Sequence, residues 1–436
     1  MAAAFAQGGG GQAGGTITSV IRARHQAKAA YRLLDRVEVT HAAVLGGHTQ
    51  AVLQATEAAG DYLLIEDSTT VAYPGRPATR GLGPIGEGFT RGLWVHSTLV
   101  VKRDWAQGQS ELLGLLGQRV WARPEDRPRG RPPSNGRGKE SNHARQLRED
   151  RESQRWMAHL EAAGGALEGT TWTYVADRES DIYELFQSAA VYGWSYVIRA
   201  THRRALAGAG AGTDLFAAAA AGARRGHVQV ELPRQQRTAR LEVRSTTLEL
   251  RGPSRPGGRL ANHTLNVVWA REVDPPPGQE AVQWVLLTDL PVDTLKKCQR
   301  VLAIYAQRWL IEEWHKALKT GLRVEASQLS DARRLGALIG ILSVVAGFLV
   351  QHKLAARTAP QAPLDPAQTD PILATVLRKV DPPAGRPTRR WFWLAIAKLG
   401  GFQARPSDGD PGWLTLWRGW QALMLLVRGY ELADSS

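Results

Sequence analysis

The sequence predicts an α/β fold, and three observations carry that reading. Strand-type and helix-type spacing alternate through the first two hundred residues, in the order β-β-β-α-β-α-β. A second block of β-type runs recurs between His227 and Val292. From Thr294 onward the spacing is helical, interrupted by one Pro-rich stretch.

In order, Thr18 to Asp35 has helical spacing, with Ile21, Ala27, Tyr31 and Leu34 apolar among basic residues, and a second helix is expected over Ala42 to Ala59. Asp61-Tyr-Leu-Leu-Ile-Glu-Asp67 reads as a short buried strand ending in acids. Leu93 to Val101 and Gly114 to Trp121 read as two more strands. Residues 8 to 15 are mostly glycine, and 122 to 150 are dominated by Arg, Pro, Gly, Asn and Glu. Neither composition builds a core, so both are expected to be mobile and exposed. Helical spacing returns over Trp156 to Leu167. The strand Thr171-Trp-Thr-Tyr-Val-Ala-Asp177, a helix over Ile182 to Ala190 and the strand Trp194 to Ile198 follow.

Residues 203 to 226 are Ala/Gly/Arg-rich and read as loop. The Gly208-Ala-Gly210-Ala-Gly212 run lacks the Gly-Lys-Ser/Thr that a phosphate-binding loop needs. The β-type runs are Val228 to Leu232, Leu241 to Leu250, Leu265 to Trp269 and Val282 to Leu287. A long helix is expected over Thr294 to Lys319 and an apolar core helix over Leu335 to Val350. A Pro-rich linker over 358 to 388 precedes helices that carry Trp391, Trp393, Trp413, Trp417 and Trp420.

Composition narrows the function classes. The net charge of +14 favours a polyanionic partner, DNA or RNA, although an Arg-rich soluble protein has the same charge. Cys298 is the single cysteine, which excludes an intrachain disulfide and a cysteine-based zinc site and fits a cytoplasmic protein. No secretory signal is visible, and the 335–350 run is short of the roughly 20 apolar residues of a membrane span, so no membrane partner is expected.

Two expected strands end in aspartate, Asp67 and Asp177. Side chains at strand ends of α/β sheets converge on a common crevice, and paired carboxylates are the start of a hard-cation site. Taken alone, either aspartate reads better as a cap on the turn that follows. The 294–319 helix adds a polar stripe. Tyr305, Arg308, Glu312 and Lys319 fall within an arc of roughly 60° on an unbroken helix and span roughly 21 Å. A solvated face could carry these charges, but a phenol, guanidinium and ammonium beside one carboxylate suit a phosphate backbone lying along the helix.

Tyr-x2-Arg-x3-Glu-x6-Lys over 305 to 319 resembles the signature of bacterial transposases of the insertion-sequence-four family. The surrounding Ile304 to Gly321 segment resembles their transposon-five-like branch. Four other segments agree in order: Ile65-Glu-Asp67-Ser-Thr-Thr70, Gly92-Leu-Trp-Val-His-Ser97, Asp177-Arg-Glu-Ser-Asp-Ile182 and Ala395-Ile-Ala-Lys-Leu-Gly-Gly-Phe402.

The resemblance implies an RNase H-like catalytic core, a mixed sheet with helices, interrupted by a β-rich insertion and flanked by helical N- and C-terminal regions. It divides the chain into a helical DNA-binding region (1–60), the first part of the core (61–200), the insertion (201–293), the second part of the core with the Glu312 helix (294–356), and a linker with a dimerisation region (357–436). It makes Asp67, Asp177 and Glu312 a DDE triad for two Mg²⁺ ions, with Mn²⁺ able to substitute. Cut-and-paste transposition would follow: nicking, hairpin formation and strand transfer at transposon ends, by a homodimer on DNA. Tyr305, Arg308, Lys319, Arg199 and Trp284 would contact DNA, with Trp284 stacking on an extruded base. Without that context, Trp284 reads as a strand tryptophan in a β core and Arg199 as a loop charge.

The family begins with additional end-binding helices where this sequence has its glycine-rich stretch. The alternative function is therefore an inactive DNA-binding and dimerising remnant that inhibits full-length copies. A third reading is a nuclease that cuts without joining.

Overall fold

The computed structural model describes residues 24–86, 89–124, 156, 158, 161–208, 213–232, 237–255, 257–364 and 369–434. The glycine run at 8–15, nearly all of the basic stretch 122–150, residues 157, 159 and 160 of the helix expected over 156–167, and Gly210 to Gly212 lie outside these residues. The fold is mixed α/β and divides into two compact units, each described separately.

The first unit comprises Thr56–Asp67 and Arg131–Trp309 and is built on a sheet. Its strands neighbour one another in the order β1 (Gly60–Ala72, of which this unit holds the part up to Asp67), β5 (Thr170–Ala176), β6 (Ser195–Arg199), β12 (Gln283–Thr288), β11 (His263–Glu272), β8 (Arg237–Leu250) and β7 (Ala223–Leu232), while the short β9 (Ser254–Arg255) and β10 (Gly258–Arg259) form a separate pair. The first three are parallel, and the rest pair antiparallel. Tyr62 to Glu66 and Thr173 to Ala176 are buried without alternation, as expected of parallel strands covered on both faces. Leu286 of β12 pairs with Arg199 of β6, so the β-type runs after residue 226 continue the sheet.

Helix α3 (Tyr183–Tyr192) joins β5 to β6. It ends at Gly193, whose φ of 70° is the left-handed turn that glycine supplies at helix ends. Helix α5 (Leu295–Ala306) is capped by Thr294, whose side chain accepts a bond from the Lys297 amide. It buries Cys298, Val301, Leu302, Ile304 and Tyr305 and packs on β5 to β8.

The second unit comprises Met1–Ala55, Ser68–Gly130 and Leu310–Ser436. Its described helices are α1 (Arg24–Asp35), α2 (His41–Ala55), α6 (Trp309–Lys316, apart from its first residue), α7 (Ala332–Thr358), α8 (Pro371–Val380), α9 (Arg389–Leu399) and α10 (Trp413–Asp434). A hairpin of β3 (Arg91–Asp104) and β4 (Gln109–Trp121) packs against α2 and α7, and the short β2 (Gly83–Pro84) pairs with β3. The second half of β1 runs beside β3. There a Cβ on Gly92 would stand 2.2 Å from the Val71 carbonyl, so only glycine fits. Helix α7 is long and apolar enough to cross a membrane, but 83% of its most apolar window is buried in the fold. Its apolar surface is core.

Several expectations change. Strand β1 does not stop at Asp67: its parallel partner ends at Ala176, but the chain continues beside β3 to Ala72. The stretch 203–226 is not all loop, because Asp214 caps a helix, α4 (Leu215–Ala220), and β7 starts at Ala223. The Pro-rich linker contains α8, which has a proline at its first position, where no amide donor is needed, and Asp370 as its cap.

The helix expected over 294–319 is broken. Gln307 and Arg308 donate to Ile304 and Tyr305, three residues back, so α5 tightens and ends before α6 begins. The segment Ala317–Gly321 then widens into a π-type turn. The angular positions of an unbroken α-helix therefore do not carry from Tyr305 to Lys319.

Candidate active site

In the sheet unit, Asp67 and Asp177 each follow the last paired residues of two parallel strands. Strands β1 and β5 run parallel from Gly60↔Thr170 to Glu66↔Ala176, and the two aspartates are the next residues along. Adjacent strands lie about 4.8 Å apart, and residues in register on parallel strands face the same side. Both aspartates are half-buried. Asp177 has extended backbone and caps a 3-10 turn, its Oδ1 accepting from the Glu179 amide at 2.9 Å.

A line of side chains leads from Asp67. The Arg308 Nη1 lies 3.9 Å from Asp67 Oδ2, with both groups largely shielded. The Arg308 guanidinium carbon is 5.9 Å from the Tyr305 ring centroid. The Tyr305 ring meets Trp284 edge to face, at 5.4 Å and 67°. Arg199 is tied nearby in the pairing pattern, its Nη2 donating to the Gln283 carbonyl at 2.9 Å. Six of the eight residues singled out from the sequence, Asp177 among them, thus belong to one unit. Asp67, Arg308, Tyr305 and Trp284 form a continuous chain of contacts, and Arg199 is anchored one residue from Trp284.

Glu312 and Lys319 belong to the helical unit. Glu312 is half-buried in the first turn of α6, where the helix dipole favours a carboxylate. Lys319 is half-buried in the π-type turn, and burial pushes its amine below the ordinary lysine range while the Glu325 carboxylate pulls the other way. Among the described residues, no group of three or more His, Cys, Asp or Glu is gathered closely enough to hold a metal ion. Of the three carboxylates expected as ligands, Asp67 and Asp177 fall in the sheet unit and Glu312 in the helical unit. The pair itself fits Mg²⁺, which takes hard oxygen ligands and is commonly held by one or two carboxylates plus water and substrate phosphate.

Three residues that support the site were missed from sequence. Glu66 is fully buried and accepts a 2.7 Å bond from the Tyr174 hydroxyl. Burial and the Glu66 charge push the Tyr174 phenol well above its ordinary range. Asp181, four residues after Asp177, is structural. Its carboxylate accepts from the Thr201 and His202 amides and from the Arg204 guanidinium, fastening the turn after β5 to the chain after β6. Glu313 is engaged by Lys353 at 2.6 Å and by Trp413 Nε1 at 3.2 Å, a tie of α6 to α7 and α10. The acidic doublet Glu312-Glu313 did not reveal which member plays that part.

The C-terminal tryptophans Trp393, Trp413, Trp417 and Trp420 are buried in their own chain.

These features define a mixed α/β protein in which two aspartates follow the paired segments of adjacent parallel strands and an arginine lies near one of them. No family model matches the chain. Among solved structures it is similar to a piggyBac transposase synaptic complex with hairpin DNA, with a TM-score of 0.33 and 9% identity over 86% of this chain and 60% of that one. The chain therefore spans about 60% of that protein's length.

Proposed function

We propose that this chain is a metal-dependent DNA-cutting and DNA-joining enzyme of the transposase class, with an RNase H-like core in which Asp67, Asp177 and Glu312 are the metal-binding carboxylates. The observation that supports this reading most is the parallel register of β1 and β5, which runs to Glu66↔Ala176 with Asp67 and Asp177 as the next residues of each chain segment. The sequence resemblance supplies Glu312 as the third ligand and transposon ends as the substrate.

When bound, two Mg²⁺ ions, or Mn²⁺, would stabilise charge on the attacking and leaving oxygens of an in-line phosphodiester displacement. The protein's own part is positioning. Asp67 and Asp177 present hard oxygens on a rigid sheet. Arg308, 3.9 Å from Asp67, would grip a phosphate oxygen of bound DNA. Trp284, supported by Tyr305, offers a ring for a base drawn out of the duplex, and aromatic–base stacking is worth about 1–3 kcal/mol. Arg199 and Lys319 add phosphate contacts. A homodimer on DNA in the bacterial cytoplasm, nicking, closing a hairpin and joining each end to target, completes the proposal.

The test is a Mg²⁺-dependent reaction on labelled DNA carrying the sequences that flank the gene, run on denaturing gels. Nick, hairpin and joined product are expected, and each should be absent in Asp67→Ala, Asp177→Ala and Glu312→Ala proteins that keep their folded circular dichroism. Nicks without hairpin or joined product would assign a nuclease. Full activity in any one variant removes that residue from the set.

A further inference from the structure

A second basic feature lies wholly within the helical unit, where a cavity of about 780 Å³ is lined by Lys319, Thr320, Arg323, Glu325, Leu414 and Arg418 among others. That volume falls in the ordinary range for small-ligand sites. Its lining carries three cations and one carboxylate. Glu325 is committed to the fold, accepting a 2.8 Å bond from the Ala72 amide. Among the described residues, the side chains of Lys319, Arg323 and Arg418 make no hydrogen bond or ion pair, although Lys319 is half-buried.

The backbone around the cavity is unusual in two places. Lys319 and Thr320 sit in the π-type turn Ala317–Gly321, closed by the Leu322 amide on the Ala317 carbonyl. Arg323 has φ 50° and ψ 44°, the left-handed region that glycine favours and arginine rarely enters. Departures of this kind persist where the side chain's position is used. Here both aim cationic residues at one cavity, and Arg418 arrives from α10 on the other wall.

We propose that this cavity holds phosphate groups of a DNA strand, gripped by Arg323 and Arg418 together with Lys319. The proposal rests on the DNA-binding part of the reading above, and it adds Arg323 and the C-terminal helix to the DNA-contacting surface. Phosphate is the matching chemistry because guanidinium groups grip its oxygens bidentately and an ammonium adds a point charge. Thr320 supplies a hydroxyl donor. The Glu325 carboxylate, already bonded to backbone, offsets one of the three positive charges, which leaves the lining with a net positive charge that favours an anion over a cation.

The experiment uses the full chain and variants Arg323→Gly and Arg418→Ala, singly and together. Glycine suits the left-handed backbone at 323, and Arg418 is exposed on its helix, so both variants should fold; circular dichroism checks this. Affinity for a fluorescent 30-base-pair duplex is measured by anisotropy across a salt series without divalent metal, with inorganic pyrophosphate as competitor. Each lost phosphate contact lowers the slope of log K against log salt by about 0.9. The double variant should therefore lose about 2 from that slope and bind at least tenfold more weakly, and pyrophosphate should displace DNA from the wild type. An unchanged slope in a folded double variant overturns the proposal. Pyrophosphate binding that depends on Arg323 and Arg418 while the DNA slope does not change also overturns it, and assigns the cavity to a free phosphate compound. Pocket-dependent DNA binding without any cleavage would leave this inference standing and remove the proposed catalysis.

Discussion

Asp177 and Asp181 stand four residues apart in one turn, and the proposed function gives them opposite duties. Replacing Asp181 by alanine removes the acceptor for two backbone amides and for the Arg204 guanidinium, whose side chain is only 13% exposed. Breaking a buried ion pair from one side leaves an uncompensated charge and costs about 3–5 kcal/mol. Replacing Asp177 by alanine removes one capping bond, to the Glu179 amide, at a cost of about 1 kcal/mol. Urea unfolding followed by tryptophan fluorescence reads the difference, because Trp172 and Trp194 are buried in the same sheet unit. Asp181→Ala should shift the transition far to lower urea, and Asp177→Ala should scarcely move it while abolishing DNA cleavage. An Asp181→Ala protein within about 1 kcal/mol of wild type, or an Asp177→Ala protein as unstable as Asp181→Ala is expected to be, would refute this assignment.

Three further outcomes are expected. Trp284→Ala should slow hairpin formation more than the first nick, measured by single-turnover gels, and equal slowing of both would remove the stacking role. His352 is buried against Phe348 and Phe392, and burial, with Arg389 nearby, depresses its imidazole from 6.5 to about 4. A histidine held neutral in the fold contributes stability that is complete above pH 6.5 and is lost as pH falls toward 4. At about 1.4 kcal/mol per pH unit this is roughly 3 kcal/mol, and His352→Leu should flatten stability across that window; an unchanged acid transition would contradict the assignment. Gly419→Ala would set a Cβ 1.8 Å from the Ile396 carbonyl at the crossing of α9 and α10. It should destabilise the protein by about 3 kcal/mol in urea titrations, and a neutral effect would show that the crossing yields.

Much of the sheet was legible because its strands are dense in β-branched and aromatic residues and are bounded by turn residues. Asp67 and Asp177 stood out because each follows such a run. What periodicity could not reveal was the break between α5 and α6: no proline or glycine marks it, and apolar spacing continues through Trp309 and Leu310. The turn differs only in bonding three residues back, a choice settled by packing. Asp181 and Glu313 were equally hidden, since their partners Arg204 and Lys353 are tied to them by the fold and by no local pattern. Helices α4 and α8 were readable in retrospect from their caps, Asp214 and Asp370, but the Ala/Gly and Pro-rich compositions around them outweighed that signal.

The pairing of Asp67 with Asp177 as metal ligands is tested most directly by changing the hardness of each ligand. Asp67→Cys and Asp177→Cys proteins should be compared with wild type in the nicking assay, with Mg²⁺ and then with Mn²⁺. A thiolate is a poor ligand for Mg²⁺ and a better one for Mn²⁺. Both variants are predicted to be inactive in Mg²⁺ and to regain nicking in Mn²⁺, and wild-type rates in Mg²⁺ for either variant would contradict the account.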